Sequence, residues 1–113
     1  MANKKSYLGE FEHLVLLSVM SLAREAYGVT IRRHLQQTIE REVSIGALYA
    51  TLERLEKKGF ITSQKGEATA ERGGKAKRYF KLTTQGITAL RETRNKLELM
   101  WDRLPNFSSM STN

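Results

Sequence analysis

The chain has 113 residues, 40 % of them hydrophobic and 27 % charged, with one proline and 19 Lys plus Arg against 12 Asp plus Glu, a formal charge of +7. That size and mix suit one globular, helix-rich domain, and the positive balance favours polyanionic partners, nucleic acid first. There is no cysteine, so disulfides, thiolate metal sites and cysteine nucleophiles are excluded, and no apolar run approaches the length of a membrane span.

Lys4-Lys5 upstream of the apolar stretch Leu14 to Leu22 has the outline of a secretion signal. Glu10, Glu12 and His13 interrupt it, and Arg24 and Glu25 follow at once, so a cytoplasmic protein is expected. Residues 1–7 are polar and basic and read as a flexible tail. From Glu10, the residues Phe11, Leu14, Val15, Leu17 and Leu22 predict a helix buried around most of its circumference, ending near Ala23 to Glu25. Ala26-Tyr27-Gly28 is a tight connection. A second helix is predicted over Val29 to Ile39. Ile31, Leu35 and Ile39 share its buried face, while Arg32, Arg33, Gln36 and Gln37 point away.

Ser44 has the side chain and the position of an N-cap for a third helix. In that helix Ile45, Leu48, Leu52 and Leu55 form the buried stripe. Ala47, Ala50, Arg54 and Lys57 fall opposite, with Tyr49 at the margin. The outer face is therefore small at its start and cationic at its end, which suits a helix lying in a nucleic-acid groove. Ala47 and Ala50 would equally serve as good helix formers with no partner. Gly59 is the expected residue just past the helix end.

Phe60 to Ser63 and Lys77 to Thr83 predict two strands, and Gly73-Gly74 supplies the backbone freedom of a hairpin tip. Between Gln64 and Lys81 lie six cations (Lys65, Arg72, Lys75, Lys77, Arg78, Lys81) and two anions (Glu67, Glu71). Phosphate contact accounts for so one-sided a loop, with Arg72 or Lys75 at the tip placed to enter a narrow minor groove. A last helix is predicted after Thr84, which can cap it, to about Leu104, where Pro105 stops it. Ile87, Leu90, Leu97, Trp101 and Leu104 keep a heptad spacing, a narrow seam that calls for another helix. It either folds back on its own core or pairs with a second copy. The twin is the expected partner, because the first helix reads as buried enough to complete the core. Residues 105–113 read as a second flexible tail.

The order of elements is mainly α with a small β-hairpin. It is the layout of a winged helix-turn-helix over residues 8–83, followed by a C-terminal dimerisation helix over 84–104. His13 and His34 sit on different predicted helices without ligand or general-base spacing, so no metal, cofactor or enzymatic activity is expected.

The segments Leu8-Gly9-Glu10, Ala26-Tyr27-Gly28-Val29, Ser44-Ile45-Gly46-Ala47-Leu48-Tyr49 and Leu55-Glu56-Lys57-Lys58-Gly59-Phe60-Ile61 together resemble PadR-type transcriptional regulators. The wing segment Glu71 to Thr83 and Gly86 extend the resemblance, which covers about residues 8 to 104 and fits the short subgroup. It implies a dimeric winged helix-turn-helix repressor whose third helix reads the major groove, whose wing touches the backbone and whose last helix dimerises. It further implies that Tyr49 contributes to DNA contact and that Ser44 sits near phosphate. Some short members hold flat aromatic compounds between two subunits against a tryptophan of the last helix, and Trp101 stands at that place here. A seam anchor with no ligand explains Trp101 as well.

The reading expected of the chain is thus a sequence-specific DNA-binding regulator, a dimeric repressor released by a small-molecule effector. Ser44, Ala47, Tyr49, Ala50, Thr51 and Arg54 are expected nearest the bases or the sugar-phosphate chain, with Lys57, Arg72, Lys75, Lys77 and Arg78 on phosphates. A two-fold dimer implies a roughly palindromic operator in double-stranded DNA. The alternatives are a winged-helix module for protein–protein contact and a regulator with no ligand pocket.

Overall fold

The structure is a computed structural model that describes residues 8–66 and 77–105. Helix α1 (Glu10–Leu22) opens with Glu12 folded back onto the residue before the helix. The Gly9 amide donates to Glu12 Oε1 at 3.0 Å, which satisfies a donor the helix itself leaves free. A single 3₁₀ turn (Ala23–Glu25) leads to α2 (Gly28–Ile39) and then α3 (Ile45–Lys57). Strands β1 (Ile61–Lys65) and β2 (Arg78–Leu82) pair antiparallel, Ile61 opposite Leu82 and Lys65 opposite Arg78, and α4 (Thr84–Asp102) closes the described chain. This is a winged helix-turn-helix, mostly helical with a two-stranded hairpin.

Local chemistry sets the element ends. Ser44 Oγ accepts the Ala47 amide at 3.1 Å, the expected N-cap of α3, a bond whose loss to alanine costs about 1 kcal/mol. At the other end Gly59 takes φ +84°, with the Gly59 amide on the Glu56 carbonyl and the Phe60 amide on the Leu55 carbonyl, both at 3.0 Å. That pair of bonds is a Schellman cap, with Leu55 and Phe60 both buried beneath it. Phe60 is thereby taken into the helix end, so β1 starts at Ile61 rather than at Phe60. The cap of α4 is Thr83, one residue before the expected Thr84: its Oγ1 accepts the Gly86 amide at 3.0 Å and donates to the Gly59 carbonyl at 2.6 Å.

Gly86 lets this first turn of α4 lie on the end of β1. A Cβ at Gly86 would come within 3.0 Å of the Phe60 carbonyl carbon, backbone that cannot swing aside. Gly86→Ala is expected to lower stability by roughly 2 kcal/mol. A thermal melt matching the parent's would show that α4 does not dock this closely.

The core is built from one face of each element: Val15, Leu16 and Val19 from α1, Ile31 and Leu35 from α2, Leu48, Leu52 and Leu55 from α3. Ile61 and Phe80 from the hairpin and Ala89 and Leu90 from α4 complete it. Each of the larger apolar side chains is worth about 1.5–3 kcal/mol when removed from water. Ser18 and His34 share a hydrogen bond, Oγ to Nδ1 at 3.0 Å, which ties α1 to α2 inside it.

Four expectations about burial are corrected. The first helix buries one face only: Leu17 and Met20 are exposed. Ile39 is exposed because α2 runs past the core at its last turn, and Glu40 there turns the chain through a left-handed φ of 56°. Ile45 is exposed because it is the first residue of α3 and lies at the stripe's edge, where Thr51 takes the inner place instead. Leu90 faces its own core rather than a partner. Among the described residues no helix is long and apolar enough to cross a membrane.

Candidate nucleic-acid interface

Four groups fix the pose of α3. Glu12, on α1 and nearly buried, receives Arg54 Nε at 3.1 Å and Lys58 Nζ at 2.9 Å. Arg32 Nε donates to the Val43 carbonyl at 2.9 Å and holds the turn between α2 and α3. Tyr49 leans back across α2, where a Cβ on Gly28 would sit 2.8 Å from Tyr49 Cζ; only glycine leaves room for that ring. Ser63 Oγ donates to Glu56 Oε2 at 2.9 Å and accepts from Arg78 Nη1 at 2.8 Å, joining α3 to both strands.

The Glu12 carboxyl is held below the usual carboxylate range. Burial pushes it up, but the Gly9 amide, Lys58 and Arg54 hydrogen bonds and the Lys58 charge outweigh burial. His13, beside it on α1, is pushed down by burial. Both shifts have the same consequence, since a native pKa below the unfolded one means that the unfolded chain binds the proton more tightly. The stabilisation is complete above the ordinary values, 6.5 for His13 and 4.5 for Glu12, and is lost as pH falls through each native pKa. The melting temperature is therefore expected to fall on acidification, first below about 6.5 and again below about 4.5. A melting temperature that rises toward acid would contradict both assignments.

The wing is anchored by aromatic stacking. Tyr27 forms an isolated bridge with Tyr79, and the Phe80 amide donates to the Ala26 carbonyl at 2.9 Å. The expected tight connection is thus held beside β2 by one antiparallel bridge. The Tyr27 and Tyr79 rings meet edge-on with centroids 5.3 Å apart. Lys77 lies over the Tyr27 ring at 3.9 Å and donates to its hydroxyl at 2.7 Å. Such an ammonium is positioned before any ligand arrives.

Between α3 and the hairpin runs a cleft of about 630 Å³ lined by Tyr27, Val29, Tyr49, Glu53, Glu56, Lys77, Arg78 and Phe80. It brings together one side of α3 and the base of the wing. Ser44, Ala47, Ala50 and Lys57 are exposed on α3, and Tyr49 is 40 % exposed. Arg78 is exposed on the wing and Lys77 is half-buried. Thr51 is corrected: it is 3 % exposed, and its hydroxyl accepts from Arg54 Nη2 at 3.2 Å, so it cannot reach a ligand. Arg54 is turned toward Glu12 and Thr51, a geometry that braces α3 against α1. Arg72 and Lys75, and the Gly73-Gly74 tip, lie outside the described residues.

Two exposed groups on α3, Gly46 and Glu53, stand outside the set of residues expected to contact DNA. With Thr51 inside and Ile45 outside, the buried stripe is turned by about 30° at 100° per residue. Gly46 and Glu53 then join Ala50 and Lys57 on the line facing directly away from the core, and both are exposed.

A second surface lies on the opposite flank. α4 is exposed from Arg94 onward. With α1 it borders a groove of about 660 Å³ that includes Leu17, Met20, Ile87, Leu97 and Trp101. Of the expected seam, Ile87 is half-buried and Leu97, Trp101 and Leu104 are 50 %, 54 % and 40 % exposed; Met100, at 70 %, was not anticipated.

The fold and this juxtaposition of α3 and wing define a winged helix-turn-helix of the kind found in transcription regulators. The chain belongs to the Transcriptional regulator PadR-like family, whose pattern it matches over residues 16–92. It is similar to a solved PadR-like transcription factor from Bacteroides fragilis at 27 % identity and TM-score 0.69, covering 81 % of this chain and 84 % of that one. A PadR family transcriptional regulator from Eggerthella lenta is similar at 26 % identity and TM-score 0.66, covering 92 % and 88 %. A transcriptional regulator from Clostridium thermocellum shares the fold at 23 % identity and TM-score 0.67, covering 86 % and 88 %. No curated protein matches the sequence.

Proposed function

We propose that this PadR-family regulator acts in the cytoplasm as a two-fold dimeric repressor. Each α3 enters a major groove of double-stranded DNA, and the wing cations contact the flanking phosphates. The observation that carries the reading is the outer face of α3, where Gly46, Ala47 and Ala50 are small and exposed, on a helix whose flank shares a cleft with Lys77 and Arg78 of the wing. A helix can approach base edges closely only where its own side chains are small, and cations at its flank then meet the phosphates. Ser44, Tyr49 and Lys57 lie on the same approach. Fluorescence anisotropy of a labelled duplex should show binding whose logarithm falls linearly with the logarithm of salt. Failure to bind in dilute buffer would refute the reading.

The exposed groove on α1 and α4 supports pairing of two copies through Leu97, Trp101 and Leu104, together with Leu17 and Met20. Its aromatic wall supports a flat aromatic effector that binds between the copies and releases DNA. Release requires that the effector favour a subunit arrangement different from the DNA-bound one. Trp101 is the one tryptophan of the chain, so its fluorescence reports the groove cleanly. A panel of flat aromatic compounds should include some that quench Trp101 and weaken DNA binding in parallel. A panel with no such member would leave a regulator without a pocket.

A further inference from the structure

We propose that Glu53 reads a base edge: its carboxylate accepts a hydrogen bond from the N4 amino group of a cytosine in the major groove. It thereby requires a C·G pair at one fixed position of each half-site. The inference rests on the DNA-binding reading above.

Three observations converge on Glu53. It lies with Gly46, Ala50 and Lys57 on the line of α3 opposite the buried residues, all within about 60° of arc. Around Gly46 a side chain would meet nothing within 4 Å, so no part of the described protein shields the start of that line. Second, Glu53 lines the cleft together with Glu56, Tyr27, Tyr49, Lys77 and Arg78, so its carboxylate faces the same opening as the cations at the base of the wing. Third, Glu53 makes no hydrogen bond or ion pair with any described residue. The other carboxylate of α3, Glu56, accepts from Ser63 Oγ at 2.9 Å.

An unsatisfied carboxylate facing a polyanion is repelled unless it meets a donor. The DNA backbone offers none. The donors on base edges in the major groove are the amino groups of cytosine and adenine. Adenine presents its amino group beside the N7 acceptor, which faces a second carboxylate oxygen with like charge; cytosine does not. Lys57, one turn further along the same line, is placed to meet the adjoining phosphate and offset the charge of Glu53. Arg54, the other polar candidate on this helix, already has Glu12 and Thr51 as partners.

The test is selection of duplexes from a random pool with the full-length parent, E53Q and E53A. Both substitutions sit at an exposed side chain outside the core, so the fold is retained. The parent should enrich an inverted repeat with cytosine at one position of each half-site. E53A should lose that preference by about tenfold while keeping the rest of the site, and E53Q should shift it toward adenine, whose N6 and N7 suit an amide. If both variants enrich the parent's sequence with evenly raised affinity, Glu53 only repels phosphate and the assignment is overturned. If the parent itself enriches no sequence, the DNA-reading proposal fails and this one falls with it.

Discussion

Reversing two described cations of the wing that line the cleft, with Lys77→Glu and Arg78→Glu together, is expected to weaken binding to every duplex by roughly a hundredfold at moderate salt. Both side chains flank the same cleft as α3 and lie on the wing, where phosphate contact carries no sequence information. Losing two phosphate contacts should also reduce the salt slope by about 2. Lys77 additionally holds Tyr27, so the neutral pair Lys77→Gln and Arg78→Gln is the matched control. It should move affinity and slope in the same direction by less, with the melting temperature recorded beside it. Anisotropy titrations over a salt series decide the matter. A slope equal to the parent's would remove the wing base from the phosphate-binding surface.

Placing a charge in the groove between α1 and α4 is the second large effect. Leu17→Asp and Leu97→Asp each alter a side chain that is nearly half exposed in the single chain, at 43 % and 50 %, so neither should unfold the monomer. In a paired dimer the same positions would be dry, and a carboxylate buried there without a partner costs several kcal/mol. Sedimentation should therefore show the mass halved for either variant. Affinity for a two-half-site duplex should fall at least a hundredfold, because the two α3 helices no longer bind as a linked pair. A variant that stays dimeric would place the subunit contact elsewhere. A parent that is already monomeric at micromolar concentration would remove the contact altogether.

The four-helix order, the hairpin and both helix caps around α3 were legible because each depends on residues close in sequence. Ser44 and Gly59 carry their own local bonds, and the apolar steps Leu48, Leu52 and Leu55 need only helical periodicity. What was not legible depends on distant chain. Thr51 looks like a surface residue by type, yet its hydroxyl finds Arg54, and Arg54 in turn finds Glu12 on α1, forty-two positions away. No local pattern announces that bond. Its consequence is to turn the outer face of α3 from Arg54 toward Glu53. In the same way, Tyr27 reads as a turn residue until Tyr79 arrives beside it to make a bridge. The exposed apolar face of α1 was hidden for a simpler reason. Leu17 and Met20 are apolar, and apolar residues in a predicted core helix are assigned to the core unless their phase is checked against Val15, Leu16 and Val19.

The Glu12 bridge also links stability to the interface. Removing that carboxylate leaves Arg54 and Lys58 without their common acceptor and loosens α3 against α1, at a cost of about 2 kcal/mol given that Arg54 is half exposed. Glu12→Gln is expected to lower the melting temperature and to flatten its dependence on pH below about 4.5. An unchanged acid limb would assign that limb to other groups.

Stoichiometry on DNA tests the central claim most directly. Sedimentation of the full chain with a duplex recovered by selection should show two chains per duplex. The recovered sites should be inverted half-sites with centres about one helical turn apart, or a multiple of it. One chain per duplex, or selected sites lacking any two-fold repeat, would contradict the picture of two α3–wing units held at the pitch of the double helix.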